Sequence, residues 1–261
     1  MIGFIGGGNM AEALIKGIAG RHARDIIVSE PRNERRTYLE KTYKIKTAPH
    51  NKEVAESCKI IILAVKPQNM DEVTAEISDV ISSDKIVVSI AAGITLSYLS
   101  SRLKTSKIIR VMPNTPAIIQ EGISVMSMCE CIHDKEIGLI RDIFMSIGRL
   151  LVLPEKYMDT VTALSGSGPA FIALFLEAMI EGAVKMGLSK RDASELAVQT
   201  LLGTAKLLDT GMSPEKLREM VTSPKGTTAA GLTVFEGRGL KEIVIAAIEA
   251  ATKRAKEIGK S

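Results

Sequence analysis

Met1-Ile2-Gly3-Phe4-Ile5-Gly6-Gly7-Gly8-Asn9-Met10-Ala11 opens the chain, and the reading of this stretch decides the fold. Five apolar or small residues predict a strand, three glycines a tight turn, and a helical pattern follows from Met10. The glycines and Ala11 match G-x-G-x-x-G/A between a strand and a helix, the setting in which that pattern holds a dinucleotide. Gly6 allows the turn, Gly8 lets a pyrophosphate approach the backbone, and Ala11 permits close helix–strand packing. The free N–H groups of the helix start supply anion donors. The second strand ends Ile26-Ile27-Val28-Ser29-Glu30, which puts an acidic residue 22 positions after Gly8, where it accepts the ribose hydroxyls. Arg32, Arg35 and Arg36 follow closely and suit a 2′-phosphate, so Glu30 favours NADH while the arginines favour NADPH. The alternative is a glycine turn with a structural role only.

Outward from that start, strands alternate with helices: Met1–Ile5, Asp25–Ser29, Lys59–Val65, Ile86–Ile90, Lys107–Val111, Ile123–Met128 and Arg149–Leu153 read as strands. Met10–Ala19, Glu34–Thr42, Asn69–Val80, Leu96–Leu103 and Lys135–Ser146 supply crossover helices. The continuously apolar Ile60–Val65 is what a central parallel strand covered on both faces requires, and the whole reads as a doubly wound α/β sheet. After Pro154 only helical patterns remain, over Pro169–Met186, Arg191–Leu208, Pro214–Val221, Thr228–Glu236 and Leu240–Ile258. The first of these is polar only at Glu177, Glu181 and Lys185 along Phe171–Lys185. Nearly its whole circumference needs burial, and about a hundred residues are too few to provide it, so a second subunit is expected.

Composition narrows the function. The 261 residues are 46% apolar and 25% charged with a net charge of +4, an ordinary folded protein. Mean hydropathy is +0.16. Nine aromatic residues and no Trp give little for stacking bases, which argues against a nucleic-acid partner. Three cysteines, Cys58, Cys129 and Cys131, are too few and uneven for a disulfide framework and fit a reducing, cytoplasmic setting. Cys129-Glu130-Cys131-Ile132-His133 lacks the second ligand pair of a zinc site, so no metal is expected. No uninterrupted apolar run approaches the roughly 20 residues of a membrane span, and the first residues read as a strand rather than a secretory signal.

Two further loops fall at strand ends where ligands of such sheets bind, Ala64-Val65-Lys66-Pro67 and Ala91-Ala92-Gly93. Histidines are only three, none in a nucleophile motif, so a hydrolytic triad is not expected. Reduction by a nicotinamide needs placement of the acceptor more than a strong acid. In the helical half, Thr222-Ser223-Pro224-Lys225-Gly226-Thr227-Thr228 precedes a helix. Backbone N–H groups at Gly226, Thr227 and Thr228, with hydroxyls of Ser223 and Thr228, would cradle a carboxylate; the alternative is a well-capped helix start.

Gly3–Met10, Ala64–Pro67, Val111-Met112-Pro113-Asn114-Thr115-Pro116, Leu164-Ser165-Gly166-Ser167-Gly168-Pro169-Ala170 and the segment from Thr222 to Leu232 together resemble the pyrroline-5-carboxylate reductase family over essentially the whole chain. The resemblance implies a Rossmann-like dinucleotide domain over 1–153 and an all-helical dimerisation and substrate-binding domain over 154–261. It implies NADPH or NADH bound by Gly6, Gly7, Gly8, Asn9, Met10, Ser29, Glu30, Arg32, Asn51, Ala64, Val65, Lys66, Pro67, Ala91, Ala92, Gly93 and Asn114. It places substrate on Glu155, Ser223, Gly226, Thr227 and Thr228, with Thr228 at the reacting nitrogen. It further implies an interlaced homodimer, associating into decamers. A hydroxyacid dehydrogenase of similar layout would need a lysine acid on the helix after Gly168, where none appears before Lys185. A redox sensor that holds the nucleotide without turnover is the rival from another class.

Overall fold

The computed structural model describes residues 1–129, 132 and 134–259. Its strands are β1 (Ile2–Ile5), β2 (Ile26–Ser29), β3 (Lys46–Ala48), β4 (Ile60–Leu63), β5 (Ile86–Ser89), β6 (Ile108–Met112), β7 (Gly122–Met128) and β8 (Gly148–Val152). The helices are α1 (Asn9–His22), α2 (Asn33–Tyr43), α3 (Asn51–Ser57), α4 (Met70–Ile77), α5 (Leu96–Arg102), α6 (Asp134–Met145) and α7 (Met158–Val161), then α8 (Gly168–Lys185), α9 (Lys190–Asp209), α10 (Pro214–Met220), α11 (Thr227–Gly237) and α12 (Leu240–Ile258). Two compact units result: Met1–Ser167 with the chain from Glu249 onward, and Gly168–Ile248. The boundary expected at 153/154 marks the end of β8; the compact division falls further on, at Gly168.

In the first unit one sheet runs β3-β2-β1-β4-β5-β6-β7-β8. The strand direction is parallel throughout except that β7 is antiparallel to β6. Strand period two divides the core. Ile2, Phe4, Val28, Ile60, Ile62 and Val88 pack on one face with Leu14, Ile15 and Ile18 of α1 and Ile140 and Phe144 of α6. Ile5, Ile27, Ile61, Leu63 and Val87 pack on the other with Val54 of α3, Met70, Val73 and Ile77 of α4 and Leu99 of α5. Because both faces are covered, β4 is Ile-Ile-Ile-Leu with every residue buried. The chain leaves β1 in one direction toward β2 and β3 and returns on its other side at β4, so the switch in strand order lies between β1 and β4.

Four features differ from the sequence expectation. The sheet has an additional strand, β3, of three residues with Lys46 exposed, and an additional helix, α3, of seven; neither is long enough to show periodicity. The antiparallel β7 follows β6 through residues 113–121, a connection shorter than the dozen or so that a parallel crossover needs. The helical stretch Glu155–Lys185 is 31 residues long, predominantly apolar and scarcely buried. By length and composition it suffices to cross a membrane, which corrects the expectation drawn from uninterrupted runs alone. Of the Cys129–His133 segment, Glu130, Cys131 and His133 lie outside the described residues, and no cluster of three metal-ligating side chains occurs among the described residues.

The second unit is helical. Ser189 and Ser213 cap α9 and α10 by accepting from the N–H groups of Asp192 and Lys216 at 3.1 and 3.2 Å. No residue of α8 is buried within the single chain.

At the start of β5, the Lys85 ammonium donates to the carbonyls of Ala55, Glu56 and Cys58 at 2.8, 2.9 and 2.8 Å and so closes the end of α3. Replacing Lys85 with Met keeps the arm and removes the donor. Unfolding free energy is expected to fall by about 1–3 kcal/mol, read as a lower denaturant midpoint; an unchanged midpoint would show that water serves these carbonyls equally well.

Candidate functional site

Strands β1 to β6 run parallel, so their carboxyl ends share one edge, and the loops there carry the residues expected at the nucleotide. Gly6 has φ +96°, and a Cβ on it would lie 2.7 Å from the Ala64 carbonyl oxygen, so only glycine fits between β1 and β4. Its N–H donates to the Ser29 carbonyl at 2.9 Å. Gly8 caps α1 without a side-chain hydrogen bond, and a Cβ there would meet nothing within 4 Å. The first-turn N–H groups of Asn9, Met10 and Ala11 therefore have no intrahelical partner and the backbone before them faces open space. That combination fits a pyrophosphate. Ala11 is fully buried against the sheet, as close packing requires.

The loop is held from behind. Arg35 Nε donates to the Gly7 carbonyl at 2.6 Å and Nη2 to the Gly8 carbonyl at 3.4 Å, while Nη2 also pairs with Glu12. Glu12 Oε1 accepts from Tyr38 and Tyr43, each at 2.8 Å. Burial pushes the Glu12 carboxyl up, but the two tyrosines and Arg35 outweigh it and hold the group below its ordinary value. Burial and the neighbouring Glu12 raise the Tyr43 hydroxyl well above the ordinary tyrosine value. With its carbonyls tied to Arg35, the loop is fixed with its amides directed elsewhere, a role sequence reasoning did not give Arg35.

Glu30, expected to accept ribose hydroxyls, is 4% exposed and already occupied. Oε2 accepts from the Gly7 N–H at 3.2 Å and Arg32 Nη2 at 3.2 Å; Oε1 accepts from the Arg32 N–H at 3.1 Å and Nε at 2.8 Å. Burial raises its carboxyl, and the Arg32 and Gly7 donors more than reverse that. Arg36 is spent on the Glu30 and Pro31 carbonyls at 2.7 and 2.9 Å. Arg35 and Arg36 are thus committed to backbone, which corrects the expectation that all three arginines stand ready for a phosphate.

Ser29 and Asn51 meet: the Ser29 hydroxyl donates to Asn51 Oδ1 at 2.7 Å, and Asn51 Nδ2 donates to Glu76 Oε2 at 2.6 Å. The Ala64 N–H donates to the Ile5 carbonyl at 2.8 Å, and Pro67 begins a short turn closed by the Asn69 N–H on the Lys66 carbonyl at 3.0 Å. Val65 lies beside Gly6, its Cγ1 at 3.1 Å from the Cβ position. Ala91 donates its N–H to the Ser89 hydroxyl at 3.3 Å, and beyond Ala92 the chain turns at Gly93, with φ +78°. A Cβ on Gly93 would lie 2.8 Å from Ile258 Cγ2, so the end of α12 rests on this loop. Asn114 spends Oδ1 on the Ile123 N–H at 2.9 Å, tying the start of β7.

Glu155, for which the family resemblance implies substrate contact, spends Oε1 on the Leu96 N–H at 2.8 Å and on Arg110 Nη1 at 3.3 Å; Arg110 also faces Asp159 at 3.5 Å. The arginine side chain is 4% exposed, so this is a tie joining β6, the start of α5 and the turn before α7.

In the second unit, the turn after α10 brings Ser223 over Gly226: a Cβ there would lie 2.3 Å from the Ser223 hydroxyl oxygen. The Gly226 N–H donates to the Ser223 carbonyl at 3.0 Å, and Lys225 adopts φ +61°. Gly226 caps α11 with no side-chain hydrogen bond. Both a carboxylate cradle and a plain glycine-capped helix start have this form; in either, the first-turn N–H groups of Thr227, Thr228 and Ala229 have no intrahelical partner.

Arg35→Met is expected to weaken binding of reduced nicotinamide nucleotide about tenfold or more, by releasing the loop carbonyls. Fluorescence titration measures it, and an unchanged Kd would mean that the glycines hold their shape unaided.

The family model described as pyrroline-5-carboxylate reductase dimerisation matches residues 155–258, and the model described as NADP oxidoreductase, coenzyme F420-dependent, matches residues 1–93. The pyrroline-5-carboxylate reductase of Synechocystis sp. is 40% identical over 263 residues, covering 99% of this chain and 98% of the relative. That of Methanosarcina acetivorans is 39% identical over 267 residues, covering 99% and 98%. Among solved structures, the enzyme of Coxiella burnetii superposes with TM-score 0.92 at 35% identity, covering 100% of this chain and 98% of that one. The Plasmodium falciparum enzyme with NADP bound gives TM-score 0.89 at 33% identity, covering 99% and 97%. With full-length relatives at this identity on both counts, the chain belongs to the pyrroline-5-carboxylate reductase family.

Proposed function

We infer that this chain reduces the C=N bond of 1-pyrroline-5-carboxylate to L-proline with NADPH or NADH. The observation that carries the reading beyond family membership is the glycine-capped start of α11, an anion cradle with free hydroxyls beside it, in a chain that also carries an open dinucleotide loop. A bound reduced nicotinamide would supply a hydride to the ring carbon of the imine already protonated at nitrogen, so that hydride and proton together give the amine. The chain's part is placement. Amides at Gly8–Ala11 hold the pyrophosphate, with Ser29, Asn51 and the loops at 64–67 and 91–93 lining the rest of the nucleotide. Amides of Thr227 and Thr228, with the Ser223 hydroxyl, hold the substrate carboxylate. The Thr228 hydroxyl, which has no hydrogen-bond partner among the described residues, hydrogen-bonds the ring nitrogen as it passes from imine to amine and so fixes which face of the ring is presented.

The apolar surface of residues 154–261 belongs to a homodimer in this reading, and the dimers assemble into decamers in the cytoplasm. Phe175 of α8 is 42% exposed and stacks at a tilt on Phe235 of α11, ring centroids 6.2 Å apart. Phe175→Glu is expected to lower the mass seen by light scattering or to abolish soluble expression. A fully soluble variant that keeps the parent's mass would remove this face from the interface.

Thr228→Ala is expected to leave nucleotide affinity near that of the parent and to lower turnover about thirty- to thousandfold, the cost of a hydrogen bond that strengthens in the transition state, roughly 2–4 kcal/mol. Thr227→Ala, which keeps the backbone donor, is the control. Equal rates for both variants, close to the parent's, would reduce Thr228 to a helix-start residue. Nucleotide binding with no loss of nicotinamide absorbance on adding pyrroline-5-carboxylate would favour the sensor instead.

A further inference from the structure

An acidic residue at the end of the second strand of a dinucleotide fold ordinarily accepts the two ribose hydroxyls and repels a phosphate at the 2′ position. Glu30 holds that position but not that state. A carboxylate has about four lone-pair sites, and Glu30 spends four on protein donors: the Gly7 N–H at 3.2 Å, the Arg32 N–H at 3.1 Å, Arg32 Nε at 2.8 Å and Arg32 Nη2 at 3.2 Å. Its side chain is 5% exposed while that of Arg32 is 68% exposed. Freeing Glu30 for a ribose would strand a buried carboxylate without its counter-charge, which is strongly unfavourable. The guanidinium carries five N–H donors in a planar fork. Arg32 uses one from Nε and one from Nη2 on Glu30, and its remaining donors have no partner among the described residues. The two neighbouring arginines cannot replace it: Arg35 is tied to Gly7, Gly8 and Glu12, and Arg36 to the carbonyls of Glu30 and Pro31 and to Asn33 Oδ1.

We propose that Arg32, oriented by Glu30, receives the 2′-phosphate of NADPH, and that Glu30 acts as the positioning residue that presents the guanidinium rather than as the acceptor that rejects the phosphate. The enzyme is then an NADPH enzyme in spite of its acidic residue. The pair is electrically neutral before the nucleotide arrives, so the incoming phosphate meets a bidentate donor in place of a bare negative charge. The sign of Glu30's contribution is thereby reversed: removing its charge should harm NADPH use, because Arg32 loses its orientation, where a repelling carboxylate would predict a gain.

The proposal rests on the dinucleotide part of the function inferred above, not on the pyrroline chemistry, so binding tests it separately from turnover. Calorimetric titration of the intact protein with adenosine 2′,5′-bisphosphate and with adenosine 5′-monophosphate isolates the 2′-phosphate. Wild-type protein is expected to bind the bisphosphate about ten- to a hundredfold more tightly, the range of a charged hydrogen-bonded contact. Arg32→Gln should erase most of that difference. Arg32→Lys, which keeps charge but not the fork, should fall between. Glu30→Gln should narrow the difference, and the ratio of kcat/KM for NADPH to that for NADH should fall in parallel. A wild-type protein that does not discriminate, an Arg32→Gln variant that still does, or a Glu30→Gln variant that discriminates better would each overturn it. Should Glu30→Gln fail to fold, the exposed Arg32 variants decide alone. Retained discrimination in a protein that turns over no pyrroline-5-carboxylate would uphold this inference while ending the functional one.

Discussion

The backbone of Gly6 runs so close to the end of β4 that a methyl group would sit 2.7 Å from the Ala64 carbonyl oxygen. The nucleotide side of the sheet depends on that approach. It lets β1 and β4 stay paired up to their last residues, with the Ala64 N–H still bonded to the Ile5 carbonyl at 2.8 Å, while the chain departs from both toward the same edge. The first half-sheet then grows through β2 and β3 and the second through β4, β5 and β6, and the loops after these six parallel strands lie along one edge, where doubly wound sheets place ligands. A second close approach supports the first. A Cβ on Gly3 would lie 2.6 Å from Val54 Cγ1, so α3 sits hard against β1 and its first residue, Asn51, is brought to the end of β2.

Around this backbone core the charges are arranged in pairs that cancel locally. Glu12 and Glu30 stand on either side of the glycine loop, each beside an arginine, and both carboxyls are held below their ordinary values because their donors more than offset burial. The two arginines differ in what they have left. Arg35 turns inward to the Gly7 and Gly8 carbonyls, with its side chain 19% exposed, and so acts on the shape of the loop; Arg32 is 68% exposed and keeps donors to spare. Two residues of one type, three positions apart, thus have opposite uses, decided by which partner lies across from each.

That difference also marks where sequence reading stops. The glycine turn, the buried run Ile60–Leu63 and the helices after Gly168 were legible because each is governed by a local rule: a φ only glycine tolerates, a strand covered on both faces, a 3.6-residue period. The strand β3 and the helix α3 were not, since three and seven residues carry too little pattern and are formed by what they pack against. Nor was the direction of β7, which follows from the length of a connection rather than from any residue in the strand. At the site, residue positions were readable but their partners were not: Glu30 lies where expected, yet its oxygens are already filled by Arg32 and Gly7, and Glu155 and Asn114 spend oxygens on backbone N–H groups. At the start of α11 the segment was readable as a helix start, but that Gly226 caps it without a side-chain hydrogen bond was not.

The long apolar helix poses a last choice, between lipid and protein as the cover for α8, whose residues Phe171, Ile172, Leu174 and Phe175 are 37%, 50%, 66% and 42% exposed in the single chain. Length and hydropathy allow either. The polar residues decide. Glu177 and Glu181 lie in the interior of the helix, one turn apart, and both are exposed. A bilayer spanned by Glu155–Lys185 would have to take up this pair of carboxylates in addition to the charges at Glu155 and Asp159, at a cost of a few kcal/mol. A second protein chain can bury the apolar arc and leave the stripe of Glu177, Glu181 and Lys185 to water. The stripe is i, i+4, i+8 and so occupies one narrow side of the helix, which is the geometry of a helix packed on nearly all sides except one. The helix therefore fits the interior of an oligomer, in keeping with the dimerisation family that matches residues 155–258.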